Sequence, residues 1–221
     1  MARLARVVLP NYPHHIIQRG NRRQDVFFCD DDYAYYLELL KEWCDKESIE
    51  IWAYCLMTNH VHLILKPNDQ SNLSKAIAET HRRYTRMINF RKNWRGYLWQ
   101  GRFSSYPMDE HYLLQAAAYV ELNPVKANMV QEPWDYRWSS AHAHLAQHDP
   151  LNIINPQKLI ELCGDWKTYL HNHRPALDST LEQHLNTGRP PLGDELFINK
   201  IEILLGRELK KKKPGPKKKE P

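Results

Sequence analysis

Two histidines separated by one apolar residue lie in a strand-like segment, and this spacing suits a divalent metal ion. The segment, Met57 to Lys66, contains the triplet His60-Val61-His62. Side chains alternate faces along a β-strand, so the two imidazoles share one face while the apolar residues between and after them point into a core. The pair could therefore form half of a metal site. The alternative is two surface histidines on an open sheet face.

The same spacing recurs twice elsewhere, which makes the motif weak by itself. His142 and His144 lie in an alanine-rich segment of helical composition, where residues two apart do not share a face. His171 and His173 lie in a stretch that we predict to be a polar loop. Only the pair at 60 and 62 has the alternation that aligns both rings.

A tyrosine and an asparagine could supply the missing chemistry. Tyr119 and Asn123 are four residues apart in a predicted helix, so they lie on one helical face. A tyrosine hydroxyl can act as a covalent nucleophile, and an amide oxygen can complete a site with two histidines. The alternative is that Tyr119 only packs its helix and that Asn123 only ends it.

The elements that must position these residues are readable from periodicity and turn residues. The third helix should end or kink near Asn123, because Pro124 disfavours the α conformation in the residue before it. The order is β-α-β-β-α-β with a further helix, which predicts an α+β, ferredoxin-like (split βαβ) fold with an antiparallel sheet and helices on one face. The predicted elements are strand 14–19, helix 31–46, strands 49–56 and 60–66, helix 72–90, strand-like segment 97–108 interrupted at Gly101, and a helix from 109.

The C-terminal third has a weaker pattern. We predict a catalytic domain at 1–148, an irregular extension at 149–193 with a short helix at 157–163, an amphipathic helix at 194–209 and a disordered lysine-rich tail at 210–221.

Composition excludes several protein classes. The chain has no signal peptide and no apolar run near the roughly 18 residues that a membrane span needs. Its four cysteines lack CxxC spacing, which indicates buried, reduced thiols in a cytoplasmic protein.

Positive charge is concentrated in three segments that contain no acidic residue. Nineteen of the 31 Lys and Arg residues lie at 1–24, 82–102 and 210–219, and the second segment also contains several aromatic residues. Segregation of this kind predicts a surface that binds phosphates. The alternative is plain solubilising charge.

Several motifs together resemble one protein family. Thr58-Asn59-His60-Val61-His62-Leu63, followed by Tyr119-Val120-Glu121-Leu122-Asn123-Pro124-Val125-Lys126-Ala127, is similar to the HUH single-tyrosine transposases of the IS200/IS605 type, and more narrowly to the REP-associated tyrosine transposases of bacteria. The similarity extends to the segments 18–23, 99–103 and 187–190 and to the lysine-rich end. One departure is Pro214-Gly215-Pro216-Lys217, where a Gly-Arg-Pro is expected.

The resemblance implies roles for the candidate site. It implies that His60, His62 and Asn123 hold Mg²⁺ or Mn²⁺ and that Tyr119 attacks a DNA phosphate, becoming joined to the 5′-phosphate. Two nitrogen ligands should favour Mn²⁺ over Mg²⁺. A phosphotyrosine bond conserves the energy of the phosphodiester, so a second 3′-hydroxyl could rejoin strands.

The resemblance also implies a substrate and partners. The substrate would be single-stranded DNA beside a hairpin of the repetitive extragenic palindrome (REP) type, and the protein would be cytoplasmic and nucleoid-associated, with no membrane partner. We expect a monomer rather than a dimer because of the long C-terminal extension. Trp94, Tyr97 or Trp99 could stack on unpaired bases. The candidate DNA-binding residues are Arg19, Arg22, Arg23, Arg82, Arg83, Arg86, Gln100, Arg102, Lys211 and Lys217.

Two other functions remain compatible with the sequence. A ferredoxin-like sheet also occurs in RNA-recognition domains, so the protein could be a non-catalytic nucleic-acid-binding module. It could also be a metal-dependent hydrolytic nuclease that uses water, with Tyr119 in a structural role.

Overall fold

The computed structural model describes residues 7–68, 72–174 and 192–209. Four strands and seven α-helices are present within these ranges. The strands are β1 (His14–Arg19), β2 (Ile49–Met57), β3 (His60–Pro67) and β4 (Ser104–Pro107). The helices are α1 (Asp30–Lys46), α2 (Leu73–Lys92), α3 (Glu110–Lys126), α4 (Ala141–Ala146), α5 (Gln157–Cys163), α6 (Trp166–His173) and α7 (Glu195–Leu205).

The four strands form one antiparallel sheet in the order β2-β3-β1-β4. Chain order and strand order together give the split βαβ arrangement predicted from the sequence. The hairpin of β2 and β3 brings the histidine pair to the centre of the sheet, where β1 pairs with β3. The candidate metal ligands therefore lie on a strand that has neighbours on both sides.

Both faces of β3 are covered. Val61, Leu63 and Leu65 on one face are fully buried, and the face that bears His60 and His62 is also buried. Helix α3 lies over the histidine face, because its Tyr119 ring approaches His62, whereas α1 packs against β2 and α2. The expectation of helices on one face was therefore wrong. A central strand that is buried on both sides needs a cover on both sides.

The tyrosine helix is longer than predicted. It begins after Asp109, whose side chain accepts a hydrogen bond from the backbone N–H of Tyr112 at 2.8 Å. It continues through Pro124 to Lys126, and the carbonyl oxygen of Asn123 still accepts a bond from the N–H of Ala127. A proline within a helix removes one donor and leaves later turns able to form. The helix therefore does not end at Asn123, and a kink there, the other form of the prediction, stays a prediction.

The fourth strand is shorter than the predicted segment 97–108. Gly101 has a left-handed backbone conformation, with a φ of 63°, and β4 begins only at Ser104. Before that break, Trp99 makes a single bridge to Gly20. The turn at Gly101 therefore divides the predicted strand into a bridge and a short strand.

The described part of the C-terminal third joins the main core. Leu159, Trp166 and Leu170 are buried in the same hydrophobic cluster as the sheet. The short helix at 157–163 was predicted, but α6 was not. His171 and His173 lie in α6 rather than in a polar loop, which corrects the sequence-based prediction; Asp165 caps this helix by accepting bonds from two backbone N–H groups.

The amphipathic helix near the C-terminus is present as α7. Phe197 and Ile201 pack on Val7 and Leu9 in a second, smaller hydrophobic cluster. The predicted domain boundaries stay a prediction, and the lysine-rich tail at 210–221 lies outside the described residues. Across the described ranges, no helix combines the length and the apolar composition required to cross a membrane.

Candidate active site

The two predicted metal-binding histidines lie side by side on β3. Their ring centroids are 4.9 Å apart and their ring planes are nearly perpendicular. His62 is 1% exposed and His60 is 9% exposed, so neither is a surface histidine on an open sheet. The registers of β1 and β3 place Ile17 opposite His62 and Arg19 opposite His60. The pair is thus held by a rigid, fully paired strand.

A third imidazole joins the pair, and sequence reasoning missed it. Nε2 of His15 lies 3.0 Å from Nδ1 of His62, and their ring centroids are 5.2 Å apart. A sequence signal was available, because His15 alternates with Ile17 and Arg19 on β1, and the split βαβ plan pairs β1 with β3. Without the register of that pairing, the position of His15 relative to His62 could not be predicted.

The candidate nucleophile reaches this cluster. The ring centroid of Tyr119 lies 5.5 Å from that of His62 and 6.2 Å from that of His15. Tyr119 is 9% exposed. The fold therefore brings together a phenol and a pair of imidazoles that are nearly sixty residues apart in the chain.

Asn123 lies one helical turn after Tyr119 and is buried. Its Nδ2 donates a hydrogen bond to the carbonyl oxygen of Tyr119 at 3.2 Å. Because the amide nitrogen is used in this bond, the oxygen Oδ1 is the atom that could bind a cation. The assignment of Asn123 as a metal ligand stays a prediction.

A buried polar network anchors the other side of the tyrosine helix. Glu121 is fully buried, and its Oε1 accepts hydrogen bonds from Ser140 Oγ at 2.5 Å and His144 Nδ1 at 2.6 Å. Its Oε2 accepts a bond from Trp166 Nε1 at 2.7 Å. These partners belong to α6 and to the start of α4, so the network fixes α3 against the C-terminal helices. We call it the Glu121 network.

Burial keeps the histidines of the site neutral. Desolvation lowers the pKa of His60 to about 4, and the positive charge of Arg19 adds to the effect. Desolvation also lowers the pKa of His15 to about 3. The pKa of His62 is well below its ordinary value, for the same reason and because His60, His15 and Arg19 lie nearby. A neutral imidazole keeps a lone pair on one ring nitrogen, and this is the form of histidine that binds metal ions.

The chemistry of the site fits a divalent metal. Nε2 of His62 is buried and has no hydrogen-bond partner among the described residues, as expected of an atom that binds something else. The described residues contain no cluster of three or more His, Cys, Asp and Glu side chains suited to a metal. A site here would therefore need the amide oxygen of Asn123, or ligands from substrate and water, beside the two imidazoles. Such a set favours Mn²⁺ over Mg²⁺.

The candidate DNA-binding residues divide into several groups. Arg19 influences the pKa of His60 and so lies near the site. Arg22 and Arg23 are exposed in a short 3-10 turn with left-handed φ values of 54° and 60°. The backbone N–H of Gln100 donates to the carbonyl oxygen of Arg19 at 2.8 Å. Arg19, Arg22 and Arg23 thus lie on β1 and its following loop, and Gln100 is hydrogen-bonded to the end of that strand.

The arginines on α2 differ in their ion pairs. Arg82 forms an ion pair with Glu79, and Arg83 pairs with Glu42. Arg86 is exposed, as is Arg102 in the loop before β4. Lys211 and Lys217 lie outside the described residues. All ten assignments remain predictions.

Only two of the three predicted base-stacking aromatics are accessible. Tyr97 is 88% exposed and Trp94 is 43% exposed. Trp99 is buried and stacks on His81, with ring centroids 4.4 Å apart. The structure therefore assigns Trp99 to the core and leaves Trp94 and Tyr97 on the surface.

A family model described as "Transposase IS200 like" matches residues 9–123, which include the whole sheet, both histidines and Tyr119. The chain belongs to the IS200-like transposase family. The match ends at Asn123, so the family covers the sheet and most of the tyrosine helix, and the C-terminal helices lie beyond it.

Relatives of this transposase family member support the assignment. A Haemophilus influenzae protein named as a REP-associated tyrosine transposase is 30% identical over 113 residues. The alignment covers 46% of the chain and 64% of that relative, so the chain spans somewhat less than two thirds of its length.

One solved structure has a similar fold. A REP-associated tyrosine transposase bound to a REP hairpin has a TM-score of 0.58 and 20% identity, covering 66% of this chain and 87% of its own. A transposase structure from Deinococcus radiodurans has a TM-score of 0.39 and 21% identity, covering 54% and 96% of the two chains. The first shows similarity of fold, and the second is too distant to support an argument.

Proposed function

We propose that this transposase is a metal-dependent single-stranded DNA endonuclease and strand transferase that acts beside REP-type hairpins through a 5′-phosphotyrosine intermediate. The observation that carries the proposal is the 5.5 Å separation between the ring centroids of Tyr119 and His62. A hydrolytic nuclease has no need for a phenol beside its metal ligands, and a binding module has no need for either.

The chemical step balances without an external energy source. The phenolic oxygen of Tyr119 attacks the phosphorus, a P–O bond to tyrosine forms, and the bond to the 3′-oxygen breaks. The leaving strand then ends in a 3′-hydroxyl, which takes up a proton, while the phenolic proton passes to solvent. Attack by a 3′-hydroxyl on the phosphotyrosine reverses the sequence and rejoins DNA.

The chain's own residues prepare this step. Lys126 Nζ lies 5.8 Å from the centre of the Tyr119 ring, in a cation–π contact. His60, His62 and Asn123 would hold Mg²⁺ or Mn²⁺. When bound, the ion would supply Lewis-acid stabilisation of the charge that develops on phosphate and leaving oxygen.

Two observations support a hairpin DNA substrate: similarity to other proteins and the charge of the surface. The fold resembles that of a REP-associated tyrosine transposase bound to a REP hairpin, and the chain has a related sequence in Haemophilus influenzae. Exposed arginines and two exposed aromatic rings lie on the described surface, a combination that suits single-stranded nucleic acid. We propose Arg22, Arg86 and Arg102 as backbone contacts and Tyr97 as a stacking residue.

A covalent-adduct assay tests the proposal. The protein is incubated with a single-stranded oligonucleotide that contains a hairpin, in the presence of Mn²⁺, and the products are separated on a denaturing gel. We expect a protein–DNA adduct with the wild-type protein and none with Tyr119→Phe, while oligonucleotide binding survives. Tyr112→Phe, on the same helix, is the matched control and should retain the adduct.

The other outcomes identify the alternatives. Cleavage without an adduct would indicate a hydrolytic nuclease, and binding without cleavage would indicate a non-catalytic module. Either result overturns the proposal.

A further inference from the structure

Two residues outside the predicted metal site make hydrogen bonds to Nδ1 of the site histidines. They are Asn59, in the turn between β2 and β3, and His15, on β1. Neither was among the site residues predicted from the sequence.

Asn59 fixes the proton of His60. Its Nδ2 donates to the carbonyl oxygen of Arg23 at 3.2 Å, which identifies Oδ1 as the atom that faces His60. This Oδ1 lies 2.7 Å from Nδ1 of His60. An amide oxygen only accepts, so the imidazole must carry its proton on Nδ1. The lone pair of His60 is then on Nε2.

His15 can do the same for His62. Nε2 of His15 lies 3.0 Å from Nδ1 of His62, and one of these two nitrogens must donate. If His62 donates, its buried Nε2 carries a lone pair and can bind a cation. If His15 donates, that same buried Nε2 carries a proton that has no acceptor among the described residues. Each arrangement leaves one buried N–H without an acceptor among the described residues, on Nδ1 of His15 in the first and on Nε2 of His62 in the second. A cation that binds Nε2 of His62 therefore requires the first arrangement, in which His15 accepts the proton of His62.

We propose that Asn59 and His15 are positioning residues: Asn59 holds the proton of His60 on Nδ1, and His15 accepts the Nδ1 proton of His62 when a divalent cation takes the lone pair of Nε2. The inference rests on the proposed function in one respect: the cation is the one that DNA cleavage would require. Outer hydrogen bonds of this kind orient metal-binding imidazoles and hold one tautomer.

Asn59 has a second consequence because it bonds to two parts of the chain. Its side chain connects the carbonyl of Arg23, in the exposed basic turn, to the ring of His60. The backbone N–H of Gly20, at the start of that turn, also donates to the carbonyl oxygen of Asn59 at 2.8 Å. The basic turn and the first metal-binding ring are thus held by one asparagine.

Matched substitutions at His15 test the proposal without DNA. Glutamine can place an acceptor close to the position of Nε2, whereas methionine has similar length and lacks a comparable acceptor. We expect His15→Met to weaken Mn²⁺ affinity about 10–100-fold, and His15→Gln to stay within about threefold of the wild-type protein. Free Mn²⁺ is measured by electron paramagnetic resonance, and circular dichroism confirms that each variant is folded.

A second pair of variants covers the case in which His15→Met does not fold. Asn59 lies in a turn and is only partly buried, so Asn59→Ala removes the acceptor with little effect on packing. It should also weaken Mn²⁺ affinity about tenfold or more. The neighbouring exposed residue provides the control, and Thr58→Ala should leave the affinity unchanged.

Nuclear magnetic resonance of the wild-type protein gives a direct readout of the tautomers. Long-range ¹H–¹⁵N correlation spectra of the metal-free protein should show the proton of His60 on Nδ1. A proton on Nε2 of His60, wild-type Mn²⁺ affinity in both His15→Met and Asn59→Ala, or no Mn²⁺ binding by the wild-type protein would each overturn the inference. Mn²⁺ binding and tautomers as expected, with no DNA adduct, would instead overturn the proposed function alone.

Discussion

Helix α3 has buried polar groups on two sides, and the two sides differ in how their hydrogen bonds are completed. On one side, both carboxylate oxygens of Glu121 have donors, supplied by Ser140, His144 and Trp166. On the other side, Tyr119 lies over His62, whose buried Nε2 has no partner among the described residues. The first arrangement fixes the helix in place. The second leaves a buried ring nitrogen at which a ligand could bind.

An unpartnered atom alone does not mark a site. His144, in the Glu121 network, also keeps a buried Nε2 without a hydrogen bond within the part of the chain that the structure describes. His62 differs from His144 in its neighbours, because the ring centres of two further imidazoles and a phenol lie within 5.5 Å of its own. Several chemically suitable groups close together therefore indicate a functional site better than one unpartnered atom does.

Substitution by asparagine at His62 and at His144 should affect the rate of DNA cleavage very differently. Asparagine keeps a donor near the position of Nδ1 but removes Nε2, so each variant retains its inner hydrogen bond. His62→Asn should lower Mn²⁺-dependent cleavage of a hairpin oligonucleotide at least about 100-fold, because a metal-binding atom is lost. His144→Asn should stay within about twofold of the wild-type rate. Rates are measured per folded molecule by gel assay, and equal losses in both variants would abolish the distinction.

Removing the carboxylate of the Glu121 network should affect stability far more than chemistry. Glu121→Leu leaves the buried donors of His144 and Trp166 without an acceptor, whereas Ser140 can still donate to the carbonyl oxygen of Tyr54. We expect the free energy of unfolding to fall by about 3 kcal/mol. Urea denaturation followed by tryptophan fluorescence measures the change. Glu161→Leu, at an exposed position on α5, is the control and should change stability by less than about 0.5 kcal/mol. A stable Glu121→Leu variant would show that the network does not anchor α3.

His14 and His81 are buried outside the candidate active site and the Glu121 network, and they should make stability depend on pH. Burial lowers the pKa of His14 to about 4 and that of His81 to about 3, against about 6.5 in an unfolded chain. Between about pH 6.5 and pH 4 the unfolded state gains protons that the folded state does not, so stability falls as pH falls. Each such histidine contributes a slope that approaches about 1.4 kcal/mol per pH unit.

His81→Phe isolates one of these contributions. His81 stacks on Trp99 and lies 3.0 Å from the hydroxyl of Tyr36, so the variant changes both absolute stability and slope. Only the slope is diagnostic, and it should decrease between pH 6 and pH 4.5 by about 1 kcal/mol per pH unit. Denaturation curves at several pH values provide the measurement, and an unchanged slope would mean that His81 is not buried as a neutral ring.

Local patterns in the sequence predicted much of the fold and the central pair of the site. Strand alternation placed His60 and His62 on one face, and helical spacing placed Tyr119 and Asn123 on another. The order of strands and helices gave the split βαβ plan. These predictions succeeded because each depends on residues that are close together in the chain.

The features that the sequence did not predict depend on contacts between distant segments. The role of His15 requires the register of β1 against β3, and the partners of Glu121 come from α4 and α6. Helix α3 continues past Pro124 because later hydrogen bonds form, including that from the N–H of Met129 to the carbonyl of Pro124. Such contacts are fixed by packing, which local periodicity does not encode.

The central claim is that the phenol beside the histidine pair forms a covalent bond to DNA, and peptide mapping of the adduct tests it most directly. The adduct formed with a hairpin oligonucleotide and Mn²⁺ is trimmed with nuclease, digested with protease and sequenced by tandem mass spectrometry. Our account predicts a nucleotide attached through phosphate to Tyr119. Attachment to another tyrosine, such as the highly exposed Tyr97, would contradict it.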